Sequence, residues 1–325
     1  MKRVKVGLNG FGRIGRAFAR ISLLRDSFDI VAVNTRKSSP EMLAYLLKYD
    51  SVYRTFSKEL KSQFIQFPEP AAIPWDTYGV DVVVDATGAF ETSADLKKHL
   101  KGSVKKVILT APSKDEETPH VVLGVNDGQF DFKSCEVVSN CSCTTNCASP
   151  MFKVLDDHFN IVSGFLTTSH AYTSTQELLD DPSKTKERSR AAGLNIVPST
   201  TGAAKAVVKT LPDLKGKIDG MSIRIPVPIV SFSDISTVVE RPTTVEEVNA
   251  AFKEASQNSM KSILAYETEI LVSSDYVGSP YSCTFDANYT KVINGTLVKT
   301  FGWYDNEWGY SNRLVDLIEK IATYL

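Results

Sequence analysis

The feature that most constrains this 325-residue chain is the run Gly10-Phe11-Gly12-Arg13-Ile14-Gly15. It follows an apolar, strand-like stretch, Val4 to Leu8, and opens a stretch from Ile14 to Leu24 whose apolar residues recur at helical spacing. Glycines at these positions let the backbone turn tightly and approach a pyrophosphate, while the helix start offers free N–H groups and a partial positive charge. Alone, a G-x-G-x-x-G run is a weak signal. Between a strand and a helix it predicts the phosphate-binding turn of a dinucleotide-binding βαβ unit.

In such a unit the second strand ends in an acidic residue that takes the ribose 2′-hydroxyl. Here Ile30 to Val33 is followed by Asn34-Thr35-Arg36-Lys37, with no carboxylate to repel a 2′-phosphate. Thr35 and Arg36 therefore suggest use of NADP. Read instead as a solvated loop end, Arg36 and Lys37 leave NAD in use, so both cofactors stay open.

Alternation of strand and helix patterns continues. Helices are expected over Glu41 to Tyr49 and Leu96 to Leu100. Strands are expected over Val80 to Val84, Val104 to Leu109, Val121 to Val125 and Glu136 to Ser139. This pattern is α/β, a doubly wound Rossmann-type parallel sheet. Beyond residue 142 the character changes. Cys147 to Phe159 reads as a helix and Ile161 to His170 as a long strand. The strand-like runs Gly220 to Pro226, Ile229 to Glu240, Leu271 to Ser273, Ser282 to Asp286 and Thr296 to Trp303 suggest a second, α+β domain with a mainly antiparallel sheet. Val245 to Ser256 is a helix with Thr243 or Thr244 as N-cap, and Tyr310 to Tyr324 is a final amphipathic helix. The expected division is 1–142 for the dinucleotide domain, with the terminal helix 307–325 returning to it, and 143–306 for a catalytic domain. Residues Ser174 to Asn195 lack a period and carry Lys184, Lys186, Arg188 and Arg190, and ordered loops of that length are often functional.

Cys143 lies between a strand and a helix, in Ser139-Asn140-Cys141-Ser142-Cys143-Thr144-Thr145-Asn146-Cys147. A helix N-terminus stabilises a thiolate, and an imidazole nearby completes the activation. His170, in Thr168-Ser169-His170-Ala171-Tyr172-Thr173, sits on the strand that returns from that helix. A buried cysteine is ordinarily inert and a lone histidine ordinarily structural, so the pair is a candidate on these grounds alone.

The remaining bulk properties exclude other classes. A net charge of −1 gives no argument for a nucleic acid or an acidic membrane surface. No apolar stretch approaches the ~20 residues of a membrane span. Met1-Lys2-Arg3 leads straight into the first strand-like run, too short for a signal peptide, so the cytoplasm is expected. The five cysteines, an odd number with three between 141 and 147, do not resemble a disulfide framework. The four histidines are scattered singly, so no metal site is expected.

Taken together, the stretch around Cys143 and the strand His170-Ala171-Tyr172-Thr173 resemble the phosphorylating glyceraldehyde-3-phosphate dehydrogenase family. So do Pro198-Ser199-Thr200-Thr201-Gly202-Ala203-Ala204-Lys205, Arg224-Ile225-Pro226 and Trp303-Tyr304-Asp305-Asn306-Glu307. The blocks occur in order over nearly the whole chain. The resemblance implies that Cys143 attacks an aldehyde, that His170 takes the proton, and that a thioester is discharged by inorganic phosphate. It implies phosphate contacts at Ser142, Thr144, Thr173, Arg188, Thr201, Gly202 and Arg224. Beside the cofactor residues already read from the glycine turn (Gly10, Gly12, Gly15) and the strand end (Thr35, Arg36), it implies dinucleotide contacts at Arg13, Ile14, Thr110 and Asn306, and a homotetramer. The phosphorylated aldehyde and inorganic phosphate are the implied small-molecule partners.

Departures from the family pattern are Thr35, Asp181 in the loop, Cys141 beside the nucleophile, and a shortened Phe56 to Asp76 expected as a small hairpin or loop. Asp181 opposes a 2′-phosphate, against the NADP reading. Cys141 could resolve a sulfenic acid at the nucleophile. The nearest rival is erythrose-4-phosphate dehydrogenase, against which Thr201-Gly202-Ala203-Ala204-Lys205 favours the glyceraldehyde 3-phosphate type. A thiol hydrolase would need no dinucleotide turn. A non-catalytic RNA-binding protein has no aromatic-basic cluster to support it.

Overall fold

The computed structural model describes residues 3–36 and 38–325. Lys37, one of the two cations after β2, lies outside the described residues. Two compact units emerge: 1–121, 127–142 and 311–325 form one, 122–126 and 143–310 the other.

The first unit is built in chain order from β1 (Lys5–Asn9), α1 (Arg13–Arg25), β2 (Asp29–Asn34), α2 (Pro40–Lys48), a two-residue hairpin β3 (Tyr49–Asp50) and β4 (Arg54–Thr55), β5 (Gln63–Ile65), β6 (Val82–Asp85), α3 (Ser93–Leu96), β7 (Lys106–Leu109) and β8 (Val137–Ser139). Six strands form a parallel sheet in the order β5-β2-β1-β6-β7-β8. The strand order reverses between β1 and β6, the switch point at which doubly wound sheets open a ligand crevice at their carboxyl ends. β6 and β7 are buried along their whole length, which explains their continuous apolar runs. α2 starts where Ser39 Oγ accepts from Met42 N–H at 3.3 Å, with Pro40 at the first helical position.

The second unit contains α4 (Cys143–Phe159), β9 (Ile161–Ala171), β10 (Val197–Thr200), α5 (Ala203–Thr210), β11 (Ile218–Ile225), β12 (Ser231–Val239), α6 (Val245–Gln257), β13 (Leu264–Glu267), β14 (Cys283–Asp286), β15 (Lys291–Ile293), β16 (Leu297–Tyr304) and the start of α7 (Trp308–Ala322), whose residues from Ser311 belong to the first unit. Its sheet runs β10-β11-β9-β12-β16-β14-β13, with β15 on β16. Pairing is antiparallel except at β11/β9 and β13/β14. The core gathers α4, α5 and α6 against this sheet, with Phe252 stacked on Phe285 at 3.8 Å between ring centroids. Thr244 and Glu247 close a capping box at α6.

Two expectations change and a third is decided between its alternatives. Val121 to Val125 is no strand. Gly124 turns the chain there at φ +78, Val122 O accepts from Val125 N–H at 3.1 Å, and among the described residues the strand-like pairing beside it is an isolated bridge, His120 to Ser139. The apolar run reflects burial of a packed turn. Leu271 to Ser273 leads into a 3₁₀ turn, Ser273–Tyr276, because Asp275 Oδ2 accepts from Val272 N–H at 2.8 Å. Of the hairpin or loop expected over Phe56 to Asp76, the loop is what forms, interrupted by one edge strand, β5, parallel to β2, and by the short 3₁₀ turns Pro70–Ala72 and Trp75–Tyr78, the last of which runs past Asp76.

Candidate active site

In the first unit, the β1–α1 turn lines a cavity of about 440 Å³ with Asn9, Gly10, Gly12, Asn34, Thr35, Arg36 and Thr87 among its walls. Gly10 sits at φ +98, and a Cβ there would meet the Ala86 backbone at 2.7 Å. A Cβ on Gly15 would run into the Gly10 carbonyl oxygen. At Gly12 nothing lies within 4 Å of a Cβ position, so the space beside the turn is open for a ligand. No side chain caps α1 and no acid occupies its first turn, which leaves the helix end suited to an anion. These features fit a dinucleotide pyrophosphate.

Of the other residues expected at the cofactor, Arg13 reaches away to Asp50, with which it forms an ion pair beneath the Tyr53 ring. Thr110 N–H donates to Asp85 O at 3.1 Å. Neither Arg13, Ile14, Gly15 nor Thr110 is among the residues that wall the cavity.

In the second unit, α4 begins at Cys143, four residues before the sequence pattern suggested, so the thiol stands in the first helical turn. Its Sγ lies 3.5 Å from His170 Nε2. β9 carries His170, and parallel pairing of β11 with β9 sets Arg224 directly beside it. Arg224 Nη1 lies 2.8 Å from His170 Nδ1 and 3.2 Å from Ala171 O, while Nδ1 is 2.7 Å from Ala171 O. The two contacts at Nδ1 select different tautomers. Donation from Nδ1–H to Ala171 O leaves a lone pair on Nε2 facing the sulfur, as a base requires; donation from Arg224 leaves the proton on Nε2.

Electrostatics favour a neutral pair at rest. Burial pushes the Cys143 thiol up to about 11, against the Arg224 charge and hydrogen bonds with Thr144 and the local backbone. Burial also pushes His170 down to about 3, with Arg224 and then Arg188 adding to the effect and the Ala171 carbonyl opposing it. Arg224 is itself lowered, first by burial and then by the like charge of Arg188, so the two guanidinium charges lie within electrostatic reach of one another. Such a juxtaposition is relieved by an anion.

Arg188 donates to Thr175 Oγ1 at 3.1 Å and to Ser199 Oγ at 3.2 Å, and Thr173 bonds Thr175 at 2.9 Å. Thr201 and Gly202 stand at the start of α5, where Thr201 Oγ1 accepts from Ala203 N–H at 3.1 Å. Thr144 follows the thiol, and its Oγ1 lies 3.0 Å from Tyr304 Oη. Ser142, in the first unit, is partly buried at the end of the turn before α4.

Sequence reasoning missed four supporting side chains. Thr175 and Ser199 hold Arg188. Tyr304 Oη joins Thr144 to Thr168 Oγ1, 2.8 Å away. Ser231 Oγ accepts from Ala171 N–H at 3.1 Å and donates to Asn306 Oδ1 at 3.0 Å, tying Asn306 to the histidine strand. The period of β16 carried a usable signal for Tyr304, because an inward tyrosine needs a partner for its hydroxyl. Val230, just before Ser231, holds φ +67, a strained value for a β-branched residue. Cys141 holds φ +58 and is fully buried, with its Sγ directed at Val121 O.

Comparison with known proteins gives the family. The family model described as glyceraldehyde 3-phosphate dehydrogenase, NAD binding domain, matches residues 4–93, and that described as the C-terminal domain matches residues 142–306. A Streptomyces avermitilis protein named glyceraldehyde-3-phosphate dehydrogenase 2 is 49% identical over 335 aligned positions covering 99% of both chains. A Geobacillus stearothermophilus glyceraldehyde-3-phosphate dehydrogenase is 48% identical, covering 98% of both. A cytosolic one from Chlamydomonas reinhardtii is 45% identical, covering 98% of this chain and 97% of its own. With an NAD-binding domain, a Cys–His pair and full-length similarity at this level, the chain belongs to the glyceraldehyde-3-phosphate dehydrogenase family of oxidoreductases.

Proposed function

We propose that this chain oxidises D-glyceraldehyde 3-phosphate to 1,3-bisphosphoglycerate, with Cys143 as nucleophile, His170 as proton acceptor and inorganic phosphate as the second substrate. The observation that carries this reading is the sulfur placed 3.5 Å from Nε2 of a histidine whose far side faces Arg224.

Cys143 Sγ attacks the aldehyde carbon while its proton passes to His170 Nε2. The thiohemiacetal oxygen is stabilised by the protonated imidazole and the N–H groups at the start of α4. A dinucleotide held at the β1–α1 turn would supply the hydride acceptor, and loss of hydride from the thiohemiacetal carbon would leave a thioester on Cys143. A phosphate oxygen then attacks the acyl carbon, the C–S bond breaks, and the sulfur leaves as thiolate to regain its proton. Arg224 and Arg188 supply charge for the phosphate groups, with Thr144, Thr173, Thr201, Gly202 and Ser142 as further donors. A substrate anion that draws Arg224 from Nδ1 would favour the tautomer with Nε2 free to act as base. Gly10, Gly12, Thr35 and Arg36, which wall the cavity of the first unit, would hold the dinucleotide. Absorbance at the nicotinamide band, followed with the aldehyde in the presence and absence of inorganic phosphate, tests the reaction. Turnover independent of phosphate would contradict it.

NAD is the cofactor of the matched domain, and we extend the reading to NADP. What supports this is the cavity wall: among its described residues, Thr35, Arg36 and Ser38 stand at the end of β2 with no carboxylate. Steady-state kinetics with both cofactors decides it, and a large preference for NAD removes the extension.

We also infer a homotetramer. Leu178, Leu179, Leu194 and Ile196, all in or next to the 174–195 loop, are 69 to 85% exposed, and such a patch suits a subunit interface. Light scattering on the purified chain tests this. The reading implies the cytoplasm, where a working thiol stays reduced. No helix among the described residues is long and apolar enough to cross a membrane.

A further inference from the structure

At the carboxyl end of the first sheet, Asn34, Asn9 and Asp85 stand in one row, paired across β2, β1 and β6. Their side chains form a directed chain. Phe67 N–H donates to Asn34 Oδ1 at 2.8 Å, and Asn34 Nδ2 donates to Phe67 O at 2.9 Å, which fixes that amide's orientation. Asn34 Nδ2 also donates to Asn9 Oδ1 at 2.8 Å, so Asn9 presents its Nδ2 to Asp85 Oδ2, again at 2.8 Å.

A second chain arrives from the opposite side. Trp75 Nε1, which can only donate, lies 3.0 Å from His99 Nδ1. The proton of His99 is therefore on Nε2, which donates to Asp85 Oδ2 at 3.2 Å. Thr87 completes the set. Its N–H and its hydroxyl donate to Asp85 Oδ1 at 3.0 and 2.6 Å. Both chains and the two Thr87 donors end at Asp85, and Asn9, Asn34, Trp75, Asp85 and His99 are all at least 98% buried.

Only a group that accepts on both oxygens satisfies this arrangement. An amide at position 85 would turn an NH₂ either toward Asn9 and His99 or toward the Thr87 backbone N–H. Neither flip of Asn9 or His99 relieves the clash, because Phe67 fixes one chain and Trp75 the other. Asn9, Asn34 and Thr87 wall the cavity beside the glycine turn, and Thr87 adjoins Ala86, whose backbone packs against Gly10.

We propose that Asp85 is the positioning residue of the dinucleotide pocket, and that His99 and Trp75, outside the cavity wall, act through it. This rests on the reading of that cavity as the dinucleotide site. Asp85 holds the Asn9 amide and the Thr87 loop in the orientation that the ligand meets, and the buried imidazole and indole prevent either from relaxing.

The test is calorimetric titration of NAD into the wild-type chain, Asp85→Asn, Asp85→Glu, His99→Leu and His99→Gln, with melting temperature and turnover measured on each. Asp85→Asn leaves buried N–H groups face to face, and its NAD dissociation constant should rise about tenfold or more. The Michaelis constant for NAD should rise in parallel while turnover at saturating NAD falls less than about threefold, as expected for lost ground-state binding. Asp85→Glu, still accepting on both oxygens, should recover most of the affinity. His99→Gln can accept from Trp75 and donate to Asp85, and should bind more tightly than His99→Leu by about fivefold. This second pair decides the matter if Asp85→Asn does not fold. A lowered melting temperature with NAD affinity unchanged in Asp85→Asn, or equal affinity in the two His99 variants, overturns the proposal. Failure of the wild-type chain to bind NAD would instead overturn the reading of the cavity.

Discussion

The sulfur of Cys143 lies 3.5 Å from Nε2 of His170 because α4 starts at one residue and β9, its direct successor in the chain, carries the other. A helix N-terminus and an adjoining strand bring a nucleophile and a base together with no long-range loop between them. Cys143→Ser should abolish turnover while NAD binding, measured by calorimetry, survives. His170→Asn should slow turnover by about a hundredfold or more, the scale of general base catalysis. Rates near wild type in either variant would place the chemistry elsewhere.

The charge of Arg224 opposes the burial that raises the Cys143 thiol. With the thiol pushed up to about 11, the neutral form dominates near neutral pH, and alkylation by iodoacetamide in the free chain should quicken as pH rises. Arg224→Leu removes the opposing charge, so the thiol moves further up and alkylation at pH 8 slows. Arg224→Lys keeps the charge and should lie between. Equal alkylation rates in all three chains would show that Arg224 does not act on the sulfur.

Asp115 offers a pH test of stability. Burial tends to raise its carboxyl, but hydrogen bonds from the Ser93 and Thr118 backbone N–H groups and from the Ser113 hydroxyl outweigh that and hold it at about 2. A depressed carboxyl favours the folded state once ionised. Its contribution is present above the unfolded value near 3.8 and is lost as pH falls through about 2. Denaturant midpoints measured between pH 5 and 2 should therefore fall less steeply in Asp115→Asn than in the wild-type chain. Parallel slopes would contradict this.

Gly10 combines φ +98 with a backbone neighbour so close that a Cβ would come within 2.7 Å of Ala86. Gly10→Ala should cost about 2 kcal/mol or more of stability. It should also weaken NAD binding, since strand-end and loop must separate to admit the methyl group. Thermal melting and calorimetry report the two effects separately, and a variant unchanged in both would contradict the close approach.

The glycine turn, the strand–helix alternation and the cysteine and histidine blocks were legible in the sequence because each depends on local chain geometry. Ser199 falls within a family block, yet its hold on Arg188 could not be read there, since it depends on the pairing of β10 with β11 and the path of the 174–195 loop. Ser231 was hidden for a similar reason: its partners, Ala171 and Asn306, are 60 and 75 residues away. The false strand at Val121 to Val125 shows the opposite failure, since a turn packed into the core is as apolar as a central strand.

Mass spectrometry of the chain mixed with D-glyceraldehyde 3-phosphate and NAD, without inorganic phosphate, tests the covalent step most directly. The account predicts a phosphoglyceryl adduct on Cys143, one equivalent of reduced cofactor per active site, and loss of the adduct once phosphate is added. Continued cofactor reduction by a chain whose Cys143 has been fully alkylated would contradict it.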